Sequence, residues 1–232
     1  MKEFAKYIDS NTSADFVLTK ATEMLKKPGM LKALNETIVD VPNNLTLLCL
    51  TIAHGNSKAA IALLKAGIDG SIGCGKTDKD ALEMRMTSNE NENKTPLMFS
   101  AGNKKITSDD MREMFDYYTI RKTLNKQDTL KRNALQHAVY AILHFIINNL
   151  RRNKSNPFST NYTEDSLEND LSKIRFLIEN GASKELDAYT QNPVSLAKLI
   201  ADNTTKYAVL EALGEKSQLN EAYSIEPNVN ED

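Results

Sequence analysis

Apolar positions along this chain recur mainly at three- and four-residue spacing, the period of a helix with one buried face. From Ala14 to Lys27, residues Phe16, Val17, Ala21, Met24 and Leu25 share a face, which predicts an amphipathic helix. Pro28-Gly29 ends it, and Met30 to Glu36 opens a second one. The most apolar stretch, Ala134 to Ile147, is interrupted only by Gln136, His137 and His144 and predicts a long buried helix. A membrane span needs about 20 predominantly apolar residues, so no span is expected. Tyr207 to Leu213 predicts a last helix, stopped by Gly214.

A block recurs within this pattern. Thr46-Leu47-Leu48-Cys49-Leu50-Thr51-Ile52, Thr95-Pro96-Leu97-Met98-Phe99-Ser100-Ala101 and Asn133-Ala134-Leu135-Gln136-His137-Ala138-Val139 share it, and Asn192-Pro193-Val194-Ser195-Leu196-Ala197 is a weaker fourth. Two of them lead to a second signature, Leu63-Leu64-Lys65-Ala66-Gly67-Ile68-Asp69 and Ile174-Arg175-Phe176-Leu177-Ile178-Glu179-Asn180-Gly181-Ala182. Thr or Asn suits the cap of a first helix, and Pro fits its first position, where no amide is needed. Gly at the end of the second helix supplies a left-handed residue.

Taken together, the blocks resemble the ankyrin repeat, T-P-L-H-x-A-A-x-x-G-H-x-x-x-V-x-x-L-L-x-x-G-A. Thr46 to Ile68 follows that pattern without a gap, with Gly55-Asn56 at G-H, Ala60 at V, Leu63-Leu64 at L-L and Gly67 at the last G. Asp128 stands seven residues before Leu135, as in the family's D-x-x-G-x-T-P-L. The resemblance covers about residues 40 to 213. It implies an all-α solenoid of roughly five stacked helix-turn-helix units, caps included, since a lone pair cannot bury its apolar face. The expected organisation is one ankyrin-repeat domain over 1–214, followed by an acidic tail, 215–232. Within the domain, 1–42 is an N-terminal cap, 43–68 a repeat, 69–93 an insertion, and 94–127 a repeat. Residues 128–184 form a repeat with its own insertion at 148–167, and 187–214 a C-terminal cap repeat. The insertions follow from spacing: the blocks start 49, 38 and 59 residues apart, against a family period of about 33.

Composition narrows the function. Lys and Arg total 29 against 31 Asp and Glu, a net charge of −2, so the basic excess of a nucleic-acid binder is missing. With 9 Gly, 6 Pro and no Trp, a turn-rich all-β fold is disfavoured. Two cysteines exclude a disulfide scaffold and point to a reducing, cytoplasmic setting. Cys49 reads as a buried small hydrophobe and Cys74 as an exposed loop residue. Met1 to Asp15 carries Lys2, Glu3, Lys6, Asp9 and Asp15 with no apolar run after it, which disfavours a Sec signal.

One segment competes with the repeat reading. Gly70-Ser71-Ile72-Gly73-Cys74-Gly75-Lys76-Thr77 satisfies the phosphate-loop expression G-x-x-x-x-G-K-[ST] in full. Such a loop follows a buried strand, whereas Ala59 to Ala66 read as a helix, so the alternative is a flexible glycine-rich finger. His137 and His144 lie about 10 Å apart along one helix face, too far to share a metal. No carboxylate or cysteine completes a site, and no catalytic, cofactor or metal residue is assigned.

The resemblance therefore implies a non-enzymatic, monomeric protein-protein interaction module with no cofactor, binding a protein partner through a concave groove of finger loops and inner-helix faces. By position, the groove residues are His54, Phe99, Asn103, His137 and Tyr140, and the finger tips are Asn43, Asn93 and Arg132. The short Glu-rich tail, with Glu215, Glu221, Glu226, Glu231 and Asp232, also resembles the ends of ankyrin-repeat effectors that intracellular bacteria export into host cells by type IV secretion. The competing expectation is a nucleotide-binding enzyme built on Gly70 to Thr77. A structural subunit that uses the groove for self-assembly is a third.

Overall fold

The computed structural model describes residues 2–36, 38–40, 45–74, 93–153, 164–185 and 192–215. The chain opens with α1 (Lys2–Ala5), α2 (Ala14–Leu25) and α3 (Met30–Glu36), followed by β1 (Ile38–Asp40) and β2 (Leu45–Thr46), which pair antiparallel. Thereafter the helices come in pairs: α4 (Leu47–Ala53) with α5 (Ser57–Lys65), and α6 (Pro96–Gly102) with α7 (Ser108–Phe115). A one-turn helix, α8 (Tyr118–Arg121), precedes α9 (Ala134–Asn153) with α10 (Glu164–Glu179), and α11 (Pro193–Lys198) with α12 (Asn203–Ala212).

The four recurring blocks start the first helix of each pair by one device. The first amides of a helix lack intrahelical partners. Here the residue before each helix accepts one of them: Thr46 Oγ1 from the Cys49 amide (3.4 Å), Thr95 Oγ1 from Met98 (3.3 Å), Asn133 Oδ1 from Gln136 (3.0 Å) and Asn192 Oδ1 from Ser195 (2.7 Å). Pro96 and Pro193 occupy the first turn. Gly67 and Gly181 close α5 and α10 at φ +95° and +87°, the left-handed conformation that relieves a helix C-terminus.

Helices α4, α6, α9 and α11 pack successively on one another, and α2, α5, α7, α10 and α12 form a second file behind them. The core runs between the files. Leu47, Ile52, Leu63, Leu97, Met111, Leu135, Ile174 and Leu177 are all fully buried there. Each such side chain contributes about 1.5–3 kcal/mol on removal from water. The described residues are thus mostly α-helical, with a single two-stranded sheet among them. No helix among them is long and apolar enough to cross a membrane.

Polar side chains tie one pair to the next. Asn56 Nδ2 donates to the carbonyls of Asp9 and Thr12 at 2.7 and 2.8 Å. Asn103 Nδ2 donates to those of Ile52 (2.7 Å) and Ala53 (3.1 Å), at the end of α4. The fully buried Lys173 ammonium, paired with Asp170 at 3.3 Å, donates to the Asn103 carbonyl at 2.8 Å.

Several expectations need correcting. Phe16 is 39% exposed; the buried face of α2 is Val17 and Ala21. In the other pairs the first helix belongs to the α4 file, but α2 lies against α5 and α3 against α4, so the N-terminal pair has reversed order. Cys74 is buried, 1% exposed, and forms a disulfide with Cys49, their Cα atoms 6.7 Å apart. The chain after α5 folds back over α4, a tertiary event that local pattern does not report. The pairing removes the support that two unpaired thiols gave to a reducing compartment. The insertion expected as a polar loop from 148 is helical to Asn153, because Leu150, Arg151 and Arg152 are strong helix formers that extend α9. Its far end is helical too, since α10 begins at Glu164, and residues 154–163 lie outside the described part. So do residues 216–232 of the tail.

Among the described residues, two other than glycine have left-handed backbones: Asn93 at φ +59° and Lys131 at φ +63°. Each sits two residues before a helix-capping Thr95 or Asn133. At Lys131 the turn is closed from both sides. The Lys131 amide donates to the Asp128 carbonyl, and the Asp128 amide donates to the Arg132 carbonyl, each at 2.9 Å. A side chain in this conformation costs on the order of 1–2 kcal/mol, and glycine returns part of that as chain entropy. Lys131→Gly should therefore stabilise the protein by about 0.5–1 kcal/mol in urea denaturation. A loss of stability there would mean that the turn is not held left-handed.

Candidate functional site

The first file presents a concavity of about 660 Å³ between α6 and α9, bounded by Ala53 at the end of α4. Its floor is Met98, Phe99 and Tyr140, and its walls carry Lys94, Lys104, Lys105, Arg132, His137 and His144. Helical register explains the floor. Phe99 and His137 each stand four residues after a cap, and Lys94 and Arg132 each stand one before it. Phe99 and Tyr140 are half-buried. Cations cover their rings: Lys94 Nζ lies 4.9 Å from the Phe99 centroid and the Arg132 guanidinium 5.6 Å from that of Tyr140. Lys104 Nζ sits 3.2 Å from the Phe145 centroid.

Behind the wall, Asp128 gathers four donor groups from two residues. Its Oδ1 accepts the Arg132 amide at 2.9 Å, and its Oδ2 accepts Arg132 Nε, Arg132 Nη2 and His137 Nε2, each at 2.9 Å. A carboxylate only accepts, so Nε2 carries the proton of a neutral His137. The ring is 6% exposed. Burial lowers its pKa to about 4, outweighing the Asp128 hydrogen bond that favours the charged form. Burial would raise the Asp128 carboxyl, but hydrogen bonds from His137 and the Arg132 amide, and the nearby positive charge, hold it below the usual carboxylate range. Partial burial brings the Lys104 ammonium down to about 8, against the pull of Asp170 and with the push of Lys173.

The residues expected in the groove divide as follows. Phe99, Asn103, Arg132, His137 and Tyr140 all line it. Asn103 does so with its amide committed to α4, and His137 as a buried wall rather than an open contact. His54 is exposed at the end of α4 but is not in the lining. Asn93 is exposed on the left-handed turn beside Lys94. Asn43 lies outside the described residues. Pattern reasoning passed over Lys94, Lys104 and Lys105. The signal for Lys94 was present, since it precedes Thr95 as Arg132 precedes Asn133.

The glycine-rich segment is described from Gly70 to Cys74, and Gly75, Lys76 and Thr77 lie outside that range. Helix α5 precedes it, with no strand. Its amides are engaged: Gly70 donates to Thr119 Oγ1 (3.1 Å), Ser71 to Asp69 Oδ1 (2.8 Å), Ile72 to the Asp69 carbonyl (3.4 Å) and Cys74 to the Lys94 carbonyl (2.8 Å). Packing accounts for Gly70, where a Cβ would collide with Ile120. Among the described residues no group of three His, Cys, Asp or Glu could hold a metal ion.

The buried His137 gives stability a pH dependence of definite sign. An unfolded chain takes up this proton near pH 6.5, whereas the folded one resists it until about pH 4. The contribution is complete above 6.5 and is lost as pH falls from 6.5 toward 4. At about 1.4 kcal/mol per pKa unit, the full loss is on the order of 3 kcal/mol. Asp128 adds its own loss only below its unfolded pKa of 3.8. Urea denaturation of His137→Gln, which keeps a donor for Asp128, should show a much flatter dependence between pH 7 and 4.5 than the wild type. Parallel curves would place the acid-sensitive group elsewhere.

No family model matches the chain, and no curated protein is significantly similar to it in sequence.

Proposed function

We propose that this chain is an ankyrin-type repeat module that holds a protein partner in the groove between α6 and α9 and performs no chemistry of its own. The observation that carries the proposal is the groove itself. Five of the eight residues expected at a binding face line one concavity, with two half-buried aromatic rings as its floor. Support for the repeat reading comes from the four side-chain caps, the left-handed glycines after α5 and α10, and the two parallel files of helices. The nucleotide reading has less support. A phosphate cradle needs backbone amides aimed at the ligand, and four in this loop already donate within the protein.

Buried aromatic anchors dominate the energetics of such interfaces. Alanine at Phe99 or Tyr140 should each cost on the order of 2 kcal/mol of binding. The test is a pulldown from cell lysate with wild type and Phe99→Ala/Tyr140→Ala as baits, both checked for helicity by circular dichroism. A partner held by the wild type and released by the double mutant is the expected outcome. Partners retained equally by both would place the binding face elsewhere.

A further inference from the structure

The chain as a whole is slightly acidic, yet the groove is not. Four basic side chains line it, Lys94, Lys104, Lys105 and Arg132, the last paired with Asp128 behind the wall, and no carboxylate is among the described lining residues. The nearest carboxylates, Asp128 and Asp170, have side chains 1% and 2% exposed, and each is already bonded to a cation. Concentrating one sign of charge in a low-dielectric concavity focuses the field on an occupant of the opposite sign.

The cations are also ordered along the groove. Lys94 and Arg132 each stand just before the start of their helix, α6 and α9. Lys104 and Lys105 stand just beyond the end of α6. The seven residues of α6 rise about 10 Å, and the extended residues at its two ends lengthen the span, so two basic clusters flank the Phe99–Tyr140 floor at roughly 15 Å. An extended chain covers it in four to five residues at about 3.3 Å each. Arg132 is held in place by its two bonds to Asp128 Oδ2, which lowers the entropy lost when it engages a ligand.

The geometry points to an extended acidic protein segment as the occupant, with two carboxylates four or five residues apart and an apolar side chain between them. One carboxylate meets Lys94 and Arg132, the other Lys104 and Lys105, and the apolar residue rests on Phe99 and Tyr140. This deepens the proposed function and rests on it. A nucleic-acid strand shares the charge but fits less well. Such a strand carries a phosphate at every residue, whereas the cations here stand in two clusters with an uncharged floor of Met98, Phe99 and Tyr140 between them.

The experiment is a peptide-display selection on the full chain, using a randomised twelve-residue library. The baits are wild type, Lys94→Glu/Lys105→Glu, Phe99→Ala/Tyr140→Ala and, as a control on the exposed surface of α5, Lys58→Glu, each verified folded by circular dichroism. Wild type and Lys58→Glu should enrich Asp or Glu at two positions four or five apart. The charge-reversed bait should lose those peptides at least tenfold and enrich Lys or Arg at one or both positions instead. Enrichment of neutral or basic peptides that still need Phe99 and Tyr140 would overturn the acidic occupant and leave the groove reading standing. Peptides indifferent to both double mutants, or no enrichment over the starting library, would overturn both. A labelled oligouridine twelve-mer, measured by fluorescence anisotropy, completes the set. Binding of the strand tighter than that of the best selected peptide, with the same lysine dependence, would assign the groove to nucleic acid and overturn the proposal.

Discussion

Short helices leave most of their polar backbone groups at their ends, and the architecture of this protein follows from how those ends are satisfied. Helices α4 and α6 have seven residues each. Nearly every amide or carbonyl in them is therefore within four residues of a terminus. The amides are answered locally, by Thr46 and Thr95. The carbonyls at the end of α4 are answered from the next pair, by the Asn103 amide, and the Asn103 carbonyl in turn by Lys173 from the pair beyond. No single pair is complete in its own hydrogen bonding. Stacking joins the apolar faces, and these borrowed donors set the register in which they are joined.

The same arrangement defines the groove. Because Asn103 grips the end of α4, the stretch from Gly102 to Lys105 is pinned against Ala53 at one edge of the concavity. At the other edge Asp128 holds Arg132 and His137 in one cluster of hydrogen bonds. The backbone on either side of the space is thus held by polar contacts, and the cations that line it project from that backbone.

Much of this was legible in the sequence where the determinants were local. The caps, the prolines after two of them and the closing glycines act within four residues, and a helix starts at each of the four blocks. Phe99, Arg132 and Tyr140 followed from register. What escaped depends on contacts distant in sequence. Helix α8 is secured by burial of Ile120, which packs against Gly70. The Cys49–Cys74 bond requires the chain after α5 to double back. The β1–β2 pair has too few residues to show alternation. His137 was assigned to the open groove from its place in the block. Its actual burial is set by Asp128, nine residues earlier. The basic character of the groove was hidden because lysines on a solvated face and lysines around a concavity look alike in a string of letters.

The backbone pairing of Cys74 with Asn93 and Lys94, two bonds of 2.8 Å, has a consequence for how this protein tolerates change. The chain departs at Cys74 and returns at Asn93 through one closed neck, which the disulfide fastens to α4. The two described ends are thus fixed to each other by their own hydrogen bonds and to α4 by the disulfide, so their separation does not depend on the length of chain that joins them. Closing a chain costs only about 0.6 kcal/mol more for each doubling of its length. The neck is therefore a hinge point for tolerance: it sets where the chain leaves and re-enters the stacked helices, and the point of re-entry stands beside Lys94, at the mouth of the groove.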